Sequence, residues 1–292
     1  MQYSYEKHVK AIVLLYPSTA VNNFLIMKNV LERNNVNVSG EGTQPIIFAH
    51  GFGCDQNTWR YVAEAFKKDY KVVLFDYVGA GKSDLTAYDA EKYNSLKGFS
   101  QDVLEICAEL NIRDAIFVGH SVSSMIGVLA ALQQPSYFKQ LVLVGPSPRY
   151  INDVDYTGGM ERADLEALFE VMDSNYLGWS AMLAPAIMGN PDQPQLGEEL
   201  ATSFCATNPD MARNFARVTF LSDNRADLPK LQVKSLTLQC TDDIIAPAEV
   251  GQYILENTPN NEMILLEATG HCPHLSAPEE IIRSIKTFIN YN

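Results

Sequence analysis

One serine lies in a short motif whose residue types and position favour nucleophilic chemistry. The motif Gly119–Ser123, with the sequence G-H-S-V-S, follows the apolar run Ala115–Val118 and precedes a helical pattern. A serine at a sharp turn from strand to helix projects its hydroxyl out of the sheet, and only small neighbours permit the strained backbone. We therefore predict that Ser121 is a nucleophile. Ser123 stands where the usual motif has a second glycine, and serine is small enough for this position.

A serine nucleophile needs a base, and the base needs a carboxylate that orients it. The candidate carboxylates are Asp242 and Asp243, which follow an apolar run ending at Cys240, and composition alone does not choose between them. The candidate bases are His271 and His274, in the loop after the next apolar run. His271 comes directly after a glycine at the loop tip, whereas His274 could be packed beneath it. Both loops leave the same ends of parallel strands as the serine motif, so these side chains can converge on it.

A developing oxyanion needs two backbone N–H donors. The start of the helix behind the serine offers the nitrogen of Val122. The loop His50–Gly53 follows the apolar run Ile46–Ala49, which is the expected place for the second donor. We predict that Phe52 supplies this second N–H and that its ring forms an apolar wall of the pocket. We expect His50 to brace the loop by hydrogen bonding.

Two further motifs resemble ligand sites but lack parts that such sites need. The segment Asp76–Ser83 ends like a phosphate-binding loop, but Asp76 occupies the place of the first glycine and no clear helix starts at Ser83. A tight structural loop is the better interpretation. The cluster His271–His274, with Cys240 as a conceivable third partner, lacks the paired half-site and the spacing of structural zinc. We therefore expect no metal and no cofactor.

From about residue 36, short apolar runs alternate with amphipathic segments. This alternation predicts an α/β fold with a mostly parallel central sheet and helices on both faces. The predicted strands are Ile46–Ala49, Lys71–Phe75, Ala115–Val118, Leu141–Val144, Ser235–Cys240 and Glu262–Leu266. The predicted helices are Asn57–Lys67, Phe99–Leu110, Ser123–Gln133, Pro247–Leu255 and Pro278–Ile289.

The alternation stops after Gly145, and residues 146–226 show helical periodicity without a convincing strand. A helical block between two strands predicts a cap over the sheet. One apolar stripe at helical spacing comprises Leu165, Leu168, Phe169, Met172, Tyr176 and Trp179, and a second comprises Leu196, Leu200 and Phe204. Apolar side chains of a cap can line a ligand pocket. The side chains that we expect to contact substrate are Phe52, His120, Trp179 and Phe204.

The composition is that of an ordinary globular protein with an acidic surface. The 292 residues carry a formal net charge of -13, and 47% of them are hydrophobic. Such a surface repels phosphate backbones and anionic lipid, so we expect neither nucleic acid nor a membrane as a partner. The five cysteines are odd in number and widely scattered, which fits a reducing compartment and predicts a cytoplasmic location.

The first thirty residues do not share this organisation. Lys7 and Lys10 precede the short apolar run Ala11–Tyr16, which could indicate a secretory signal. The run is shorter than the apolar region of most signals, and the stretch ending at Ala20 is a weak cleavage site. We therefore interpret residues 1–30 as an extension outside the domain of residues 31–292, with Met27 as an alternative start.

Several short segments resemble the RsbQ-like group of the α/β-hydrolase superfamily, which includes a bacterial stress-response regulator and the plant strigolactone and karrikin receptors. The segments are Phe52–Gln56, Phe75–Gly79, Gly119–Val122, Val144–Pro148 and Gly270–His274. In the predicted cap, Asn175, Tyr176 and Trp179 match as well. The likeness runs from about Val30 to near the C-terminus, and the first thirty residues have no counterpart.

The resemblance implies a triad of Ser121, Asp243 and His271, which selects Asp243 over Asp242. It also implies a cap of four helices above a deep, largely apolar pocket for a small hydrophobic ligand. We expect a serine hydrolase that cleaves an ester or lactone slowly; carbon–carbon bond hydrolases and acyltransferases share the triad. The alternative is a ligand-responsive signalling protein that acts in stress response through a phosphatase partner with a PAS sensor domain.

Overall fold

A computed structural model describes residues 29–290, which form one seven-stranded sheet with helices on both faces. The predicted extension therefore lies outside the described residues, except for Asn29 and Val30. The strands are β1 (Asn37–Ser39), β2 (Pro45–Ala49), β3 (Lys71–Leu74), β4 (Ala115–His120), β5 (Phe138–Val144), β6 (Lys234–Cys240) and β7 (Asn261–Leu266). Their order in the sheet is β1-β3-β2-β4-β5-β6-β7, with β1 antiparallel to β3 and all other pairs parallel.

The helices fall into two groups, of which one covers the sheet and the other is inserted between β5 and β6. The covering helices are α1 (Val30–Arg33), α2 (Arg60–Glu64), α3 (Leu96–Glu109), α4 (Val122–Gln133), α9 (Ala248–Asn257), α10 (Pro273–Ser276) and α11 (Pro278–Asn290). The inserted helices, which we call the cap, are α5 (Arg162–Ser174), α6 (Tyr176–Met188), α7 (Pro194–Ala206) and α8 (Pro209–Phe220). Within residues 29–290, no helix is both long enough and apolar enough to cross a bilayer.

Strand β4 shows why the central strands are continuous apolar runs. All of its residues are buried, because helices pack on both faces of the sheet. Phe117 lies in the hydrophobic cluster on one face, and Ile116 and Val118 lie in the cluster on the other. This arrangement confirms the α/β prediction, and each of the six predicted strands is present.

Three details differ from the sequence-based expectation. Strand β1 was not predicted, since its half-exposed residues at the sheet edge lack an apolar run. The predicted helix Asn57–Lys67 is a 3₁₀ turn, Gln56–Trp59, followed by the short α2. The first cap stripe spans two helices, because the chain turns at Asn175 (φ -151°, ψ 80°) and the Asn175 side chain caps α6 by accepting from the Gly178 N–H.

The segment that resembles a phosphate-binding loop is organised by a buried carboxylate. Asp76 is 1% exposed, and its carboxylate accepts hydrogen bonds from the backbone of Gln56 (2.8 Å), the side chain of Asn35 (2.7 Å) and the backbone of Lys82 (2.9 Å). A Cβ at Gly81 would lie 2.5 Å from this carboxylate. The segment is therefore a structural loop that ties three parts of the chain together.

Candidate active site

Ser121 occupies a strained turn between β4 and α4. Its φ of 55° and ψ of -123° are unusual for a residue with a side chain, and its N–H donates to Val144 on the neighbouring strand (2.8 Å). A Cβ at position 119 would lie 2.5 Å from the carbonyl oxygen of Ser123, so the turn requires Gly119. The turn directs the Ser121 hydroxyl away from the sheet, as its motif predicts.

Ser123, which replaces the usual glycine, connects this turn to the loop after β2. Its hydroxyl donates to the carbonyl oxygen of His50 (2.5 Å) and accepts from the hydroxyl of Tyr77 (2.9 Å). The ring of His50 accepts from the Tyr77 N–H at Nε2 (3.2 Å) and donates from Nδ1 to Gly51 (2.9 Å). His50 therefore braces the loop, and the serine at position 123 adds a hydrogen bond that glycine could not make.

The structure brings Ser121, His271 and Asp243 into one chain of hydrogen bonds. The Ser121 hydroxyl lies 2.8 Å from Nε2 of His271, and Nδ1 of His271 lies 2.7 Å from Oδ2 of Asp243. Since Nδ1 donates to the carboxylate, Nε2 is the nitrogen that accepts the serine proton. All three residues are buried, whereas Asp242 is exposed.

The surroundings of Asp243 favour its charged form. Burial alone would raise the pKa of this carboxyl. The neighbouring His271 and the backbone N–H groups of Ile245 (2.8 Å) and Ala246 (3.1 Å) outweigh burial and hold the pKa below its ordinary value. Asp243 is therefore ionised at neutral pH and can orient His271.

A layer of histidines lies behind the triad. His120 donates from Nε2 to the carbonyl oxygen of His271 (2.7 Å), and its ring contacts that of His274 with the centroids 4.3 Å apart. The His274 ring also contacts Trp59 (4.5 Å). Burial lowers the pKa of His120 to about 3 and that of His274 well below its ordinary value. Both rings are therefore neutral, and the structure places His271, not His274, against the serine.

Two backbone N–H groups close to Ser121, those of Phe52 and Val122, are the predicted oxyanion donors. Val122 begins α4, so its nitrogen has no helical partner, and Phe52 follows the braced loop after β2. Within residues 29–290, neither N–H is taken up by a hydrogen bond to the protein. Both predicted oxyanion donors thus keep their hydrogen-bonding capacity.

The pocket at Ser121 is largely filled by aromatic rings. Phe52, His120 and Phe204 line it, but the open volume is only about 20 Å³. In the described part of the chain, residues 29–290, the pocket is therefore narrower than the resemblance implied, because the Phe52 ring packs at 5.5 to 6.3 Å against the rings of Phe204, Phe215, Phe220 and Trp179. Trp179 does not line the pocket; it lies behind Phe52 and stacks on Phe204.

Several residues of the pocket were not predicted from the sequence. The pocket is also lined by Cys54, Ile187, Leu200, Thr219, Phe220, Ile245 and Cys272. The hydroxyl of Tyr150 is buried next to Ser121 and interacts with its side chain, although it makes no hydrogen bond of good geometry. Burial raises the pKa of Tyr150, so its phenol is neutral. Its position just after β5, at the same sheet edge as the triad, is the signal that could have identified it.

The loop that carries His271 is attached to the cap. The His271 N–H donates to the carbonyl oxygen of Ile187 in α6 (2.9 Å). The Asn190 side chain donates both to Met188 (2.6 Å) and to Thr269 (3.1 Å). The position of the catalytic base candidate therefore depends on the last turn of α6.

A mostly parallel sheet with a serine turn after β4, an aspartate after β6 and a histidine after β7 defines the α/β-hydrolase class. The model of the alpha/beta hydrolase family matches residues 46–284. The chain therefore belongs to the α/β-hydrolase family, and the resemblance to its receptor-containing branch is confirmed by the relatives below.

The relatives include plant receptors and esterases. The chain is 38% identical to a karrikin insensitive 2 receptor of Petunia hybrida, over 90% of this chain and 98% of the receptor. It is 36% identical to a strigolactone esterase of Arabidopsis thaliana, over 88% of this chain and 97% of the esterase. Among solved structures, a hydrolase from Oleispira antarctica is 42% identical over 90% of this chain and 97% of that chain, with a TM-score of 0.89.

The buried neutral histidines predict a stability that depends on pH. The folded-state pKa of His120 is depressed to about 3, and those of His50 and His274 are also lowered by burial. Between these values and the unfolded pKa of about 6.5, the unfolded chain binds more protons, so the free energy of unfolding falls as the pH falls. We expect His120 alone to account for a loss of about 1 kcal/mol between pH 7.5 and 5.5, measured by urea denaturation.

The matched control is His120→Gln, which keeps a neutral donor for the His271 carbonyl but does not titrate. Its free energy of unfolding should fall less between the two pH values than that of the wild type. An equally steep decline in both proteins would contradict the assignment.

Proposed function

We propose that the protein is a serine hydrolase that cleaves esters or lactones of small molecules. The observation that carries this proposal is the unbroken chain of hydrogen bonds from Ser121 through His271 to Asp243. Beside it lie two unoccupied backbone N–H groups, at Phe52 and Val122, where an oxyanion would form. The esterase names of relatives at 36–38% identity support the same chemistry.

The geometry supports the following reaction. The Ser121 oxygen attacks the ester carbonyl carbon while His271 Nε2 takes the hydroxyl proton, and the carbonyl oxygen becomes an oxyanion held by the two N–H groups. When the oxyanion collapses, the bond to the leaving oxygen breaks and His271 protonates that oxygen. Water, deprotonated by His271, then cleaves the acyl-enzyme. Asp243 stabilises the imidazolium at both stages.

Removing the nucleophile tests the reaction directly. We expect Ser121→Ala to lower kcat for 4-nitrophenyl acetate by at least about a thousandfold, because only binding and the oxyanion donors remain. The release of 4-nitrophenolate, corrected for spontaneous hydrolysis, measures this. Ser180→Ala is the matched control: this serine is buried in α6, bonds to the Tyr176 carbonyl and should leave turnover within twofold of wild type. Equal turnover by wild type and Ser121→Ala would refute the proposal.

The two adjacent aspartates give a second, sharper test. Asp243→Asn should lower kcat by roughly 10³ to 10⁴, because the amide favours the wrong histidine tautomer and cannot stabilise the imidazolium. The neighbouring Asp242→Asn changes an exposed residue and should alter kcat less than twofold. Steady-state kinetics of both variants with one ester suffice. If Asp242→Asn lowered kcat more than Asp243→Asn, then Asp242, not Asp243, would be the carboxylate that orients His271.

A second candidate function is ligand-responsive signalling. The receptor names of relatives at 36–38% identity favour it, as does the filled pocket, which must open before a ligand larger than a few atoms can enter. We propose that slow hydrolysis or covalent capture of a small lactone moves the cap, and that the resulting change is read by a phosphatase with a PAS sensor domain, on the basis of the RsbQ-like resemblance.

The signalling candidate predicts a persistent covalent species. We expect intact-protein mass spectrometry after exposure to a butenolide lactone to show an adduct on Ser121 or His271 that outlives many turnovers of a simple aryl ester. Ser121→Ala should show no adduct. Rapid multiple turnover of the lactone with no adduct would favour a metabolic esterase instead.

A further inference from the structure

A second cavity lies beside the catalytic pocket, and we call it the outer chamber. Its volume is about 430 Å³, compared with about 20 Å³ at Ser121. It lies between α7 and the loops after β2 and β3, where Thr58, Lys82 and Ser203 are among its lining residues. The large space next to the reacting serine is therefore on the far side of a wall, not in the catalytic pocket itself.

The wall between the two cavities consists of two side chains. Cys54 and Leu200 line both the catalytic pocket and the outer chamber, and each is only 2% exposed. Because the same side chains face both spaces, the wall is one side chain thick. Movement of the Leu200 side chain would therefore join the two cavities.

Two segments that carry residues of the site also border the outer chamber. Leu275, four residues beyond His271, lines it, and so does Cys54, two residues beyond Phe52. The leaving oxygen of an ester must receive its proton from His271. An alcohol whose oxygen lies beside His271 can therefore extend along the Leu275 segment towards the chamber.

The sizes of the two spaces agree with this orientation. A volume of about 20 Å³ holds roughly one or two water-sized groups, which is enough for a short acyl group such as acetyl. The outer chamber is within the usual size range of small-molecule sites, roughly 300–1,000 Å³. An ester with a short acyl group in the catalytic pocket and a larger alcohol in the outer chamber therefore fits the pair of cavities.

The walls of the outer chamber offer acceptors to a ligand. Four lining hydroxyls already donate their protons to backbone carbonyl oxygens, and they belong to Thr58, Thr202, Ser203 and Thr207. A hydroxyl that donates its proton still has lone pairs that can accept. Asp55 and Glu199 add carboxylate oxygens, with Glu199 held by Arg60 (2.7 Å), and Lys82 adds an ammonium. Such a wall suits a ligand that is rich in hydroxyl donors.

We infer that the outer chamber binds the alcohol part of the substrate, and that the substrate class is an ester of a short-chain acid with a hydroxylated, polyol-like alcohol. This inference rests on the proposed serine hydrolase function. In the reaction the bond between the acyl carbon and the alcohol oxygen breaks, the bond to Ser121 Oγ forms, and His271 transfers the serine proton to the departing alcohol. Movement of the Leu200 side chain admits the alcohol, and the hydroxyl groups of Thr202, Ser203 and Thr207 bind it.

The first experiment compares 1-O-acetylglycerol with propyl acetate, which share the acyl group and the length of the alcohol chain. We expect wild-type kcat/KM, measured by acetate release, to be at least about fivefold higher for acetylglycerol, a difference of about 1 kcal/mol in transition-state stabilisation. The double variant Thr202→Val/Thr207→Val should bring this ratio close to one by lowering kcat/KM for acetylglycerol more than for propyl acetate. Two results would overturn the inference. One is a wild-type kcat/KM that is the same for acetylglycerol and propyl acetate, and the other is a ratio of these two values that the double variant does not change.

The second experiment tests the wall. Leu200→Ala should raise at least fivefold the ratio of kcat/KM for 4-nitrophenyl acetate, whose alcohol is bulky, to kcat/KM for methyl acetate. Leu196→Ala, a buried leucine one turn earlier in α7 that lines neither cavity, should change neither ester more than twofold. Leu200→Phe keeps the cap core filled and should have the opposite effect on the bulky ester.

The remaining outcomes separate the two proposals. If Leu200→Ala instead favours methyl hexanoate over methyl acetate, the acyl group uses the outer chamber and the inference fails. If the wild type hydrolyses none of these esters, the proposed function itself fails. If the wild type hydrolyses them but the Leu200 variants do not change the preference for alcohol size, only the inference fails.

Discussion

The positive φ of Ser121 is the constraint on which the rest of the site depends. Holding a residue with a side chain in this conformation costs of order 1–3 kcal/mol, so the surrounding structure must determine it fully. Strand β4 and the start of α4 do so, because they are buried and are bonded to β5 on one side and to the loop after β2 on the other. The burial that makes β4 an apolar run thus also stabilises the strained turn at its end.

The same turn connects the two predicted oxyanion donors. Val122 is the first residue of α4, so its free N–H follows from the way the helix begins. The loop that carries Phe52 is joined to α4 by the hydrogen bond from Ser123 to His50. The serine that replaces the usual glycine therefore ties the loop that carries Phe52 to the helix that begins at Val122.

Much of the framework could be predicted from the sequence because burial on both faces leaves a clear pattern. Of the six predicted strands, β2, β4, β5 and β6 are mostly buried, whereas β3 and β7 are partly exposed but still carry apolar runs. The order of serine, acid and histidine was predictable from the loops that follow these strands. Strand β1 was missed because its exposed residues at the sheet edge do not form an apolar run. Asp242 and Asp243 are chemically identical neighbours that differ in the direction of their side chains, which composition does not encode. The choice of Asp243 therefore required the resemblance, and the structure places its side chain on His271.

The filling of the pocket could not be predicted for a different reason. The rings that close it come from the loop after β2 and from the cap, and only their packing in three dimensions decides how much space remains. Tyr150 was missed because its loop carries no motif. Periodicity shows which residues of a helix face inward, but it does not show which rings meet across separate elements.

The attachment of His271 to the cap has a mechanical consequence. Its backbone N–H is bonded to Ile187, and Asn190 bridges the end of α6 to the loop before it. A displacement of α6 would therefore pull on the main chain of His271 and disturb the alignment of its ring with Ser121. These hydrogen bonds couple the position of the cap mechanically to the hydrogen bond between His271 and Ser121.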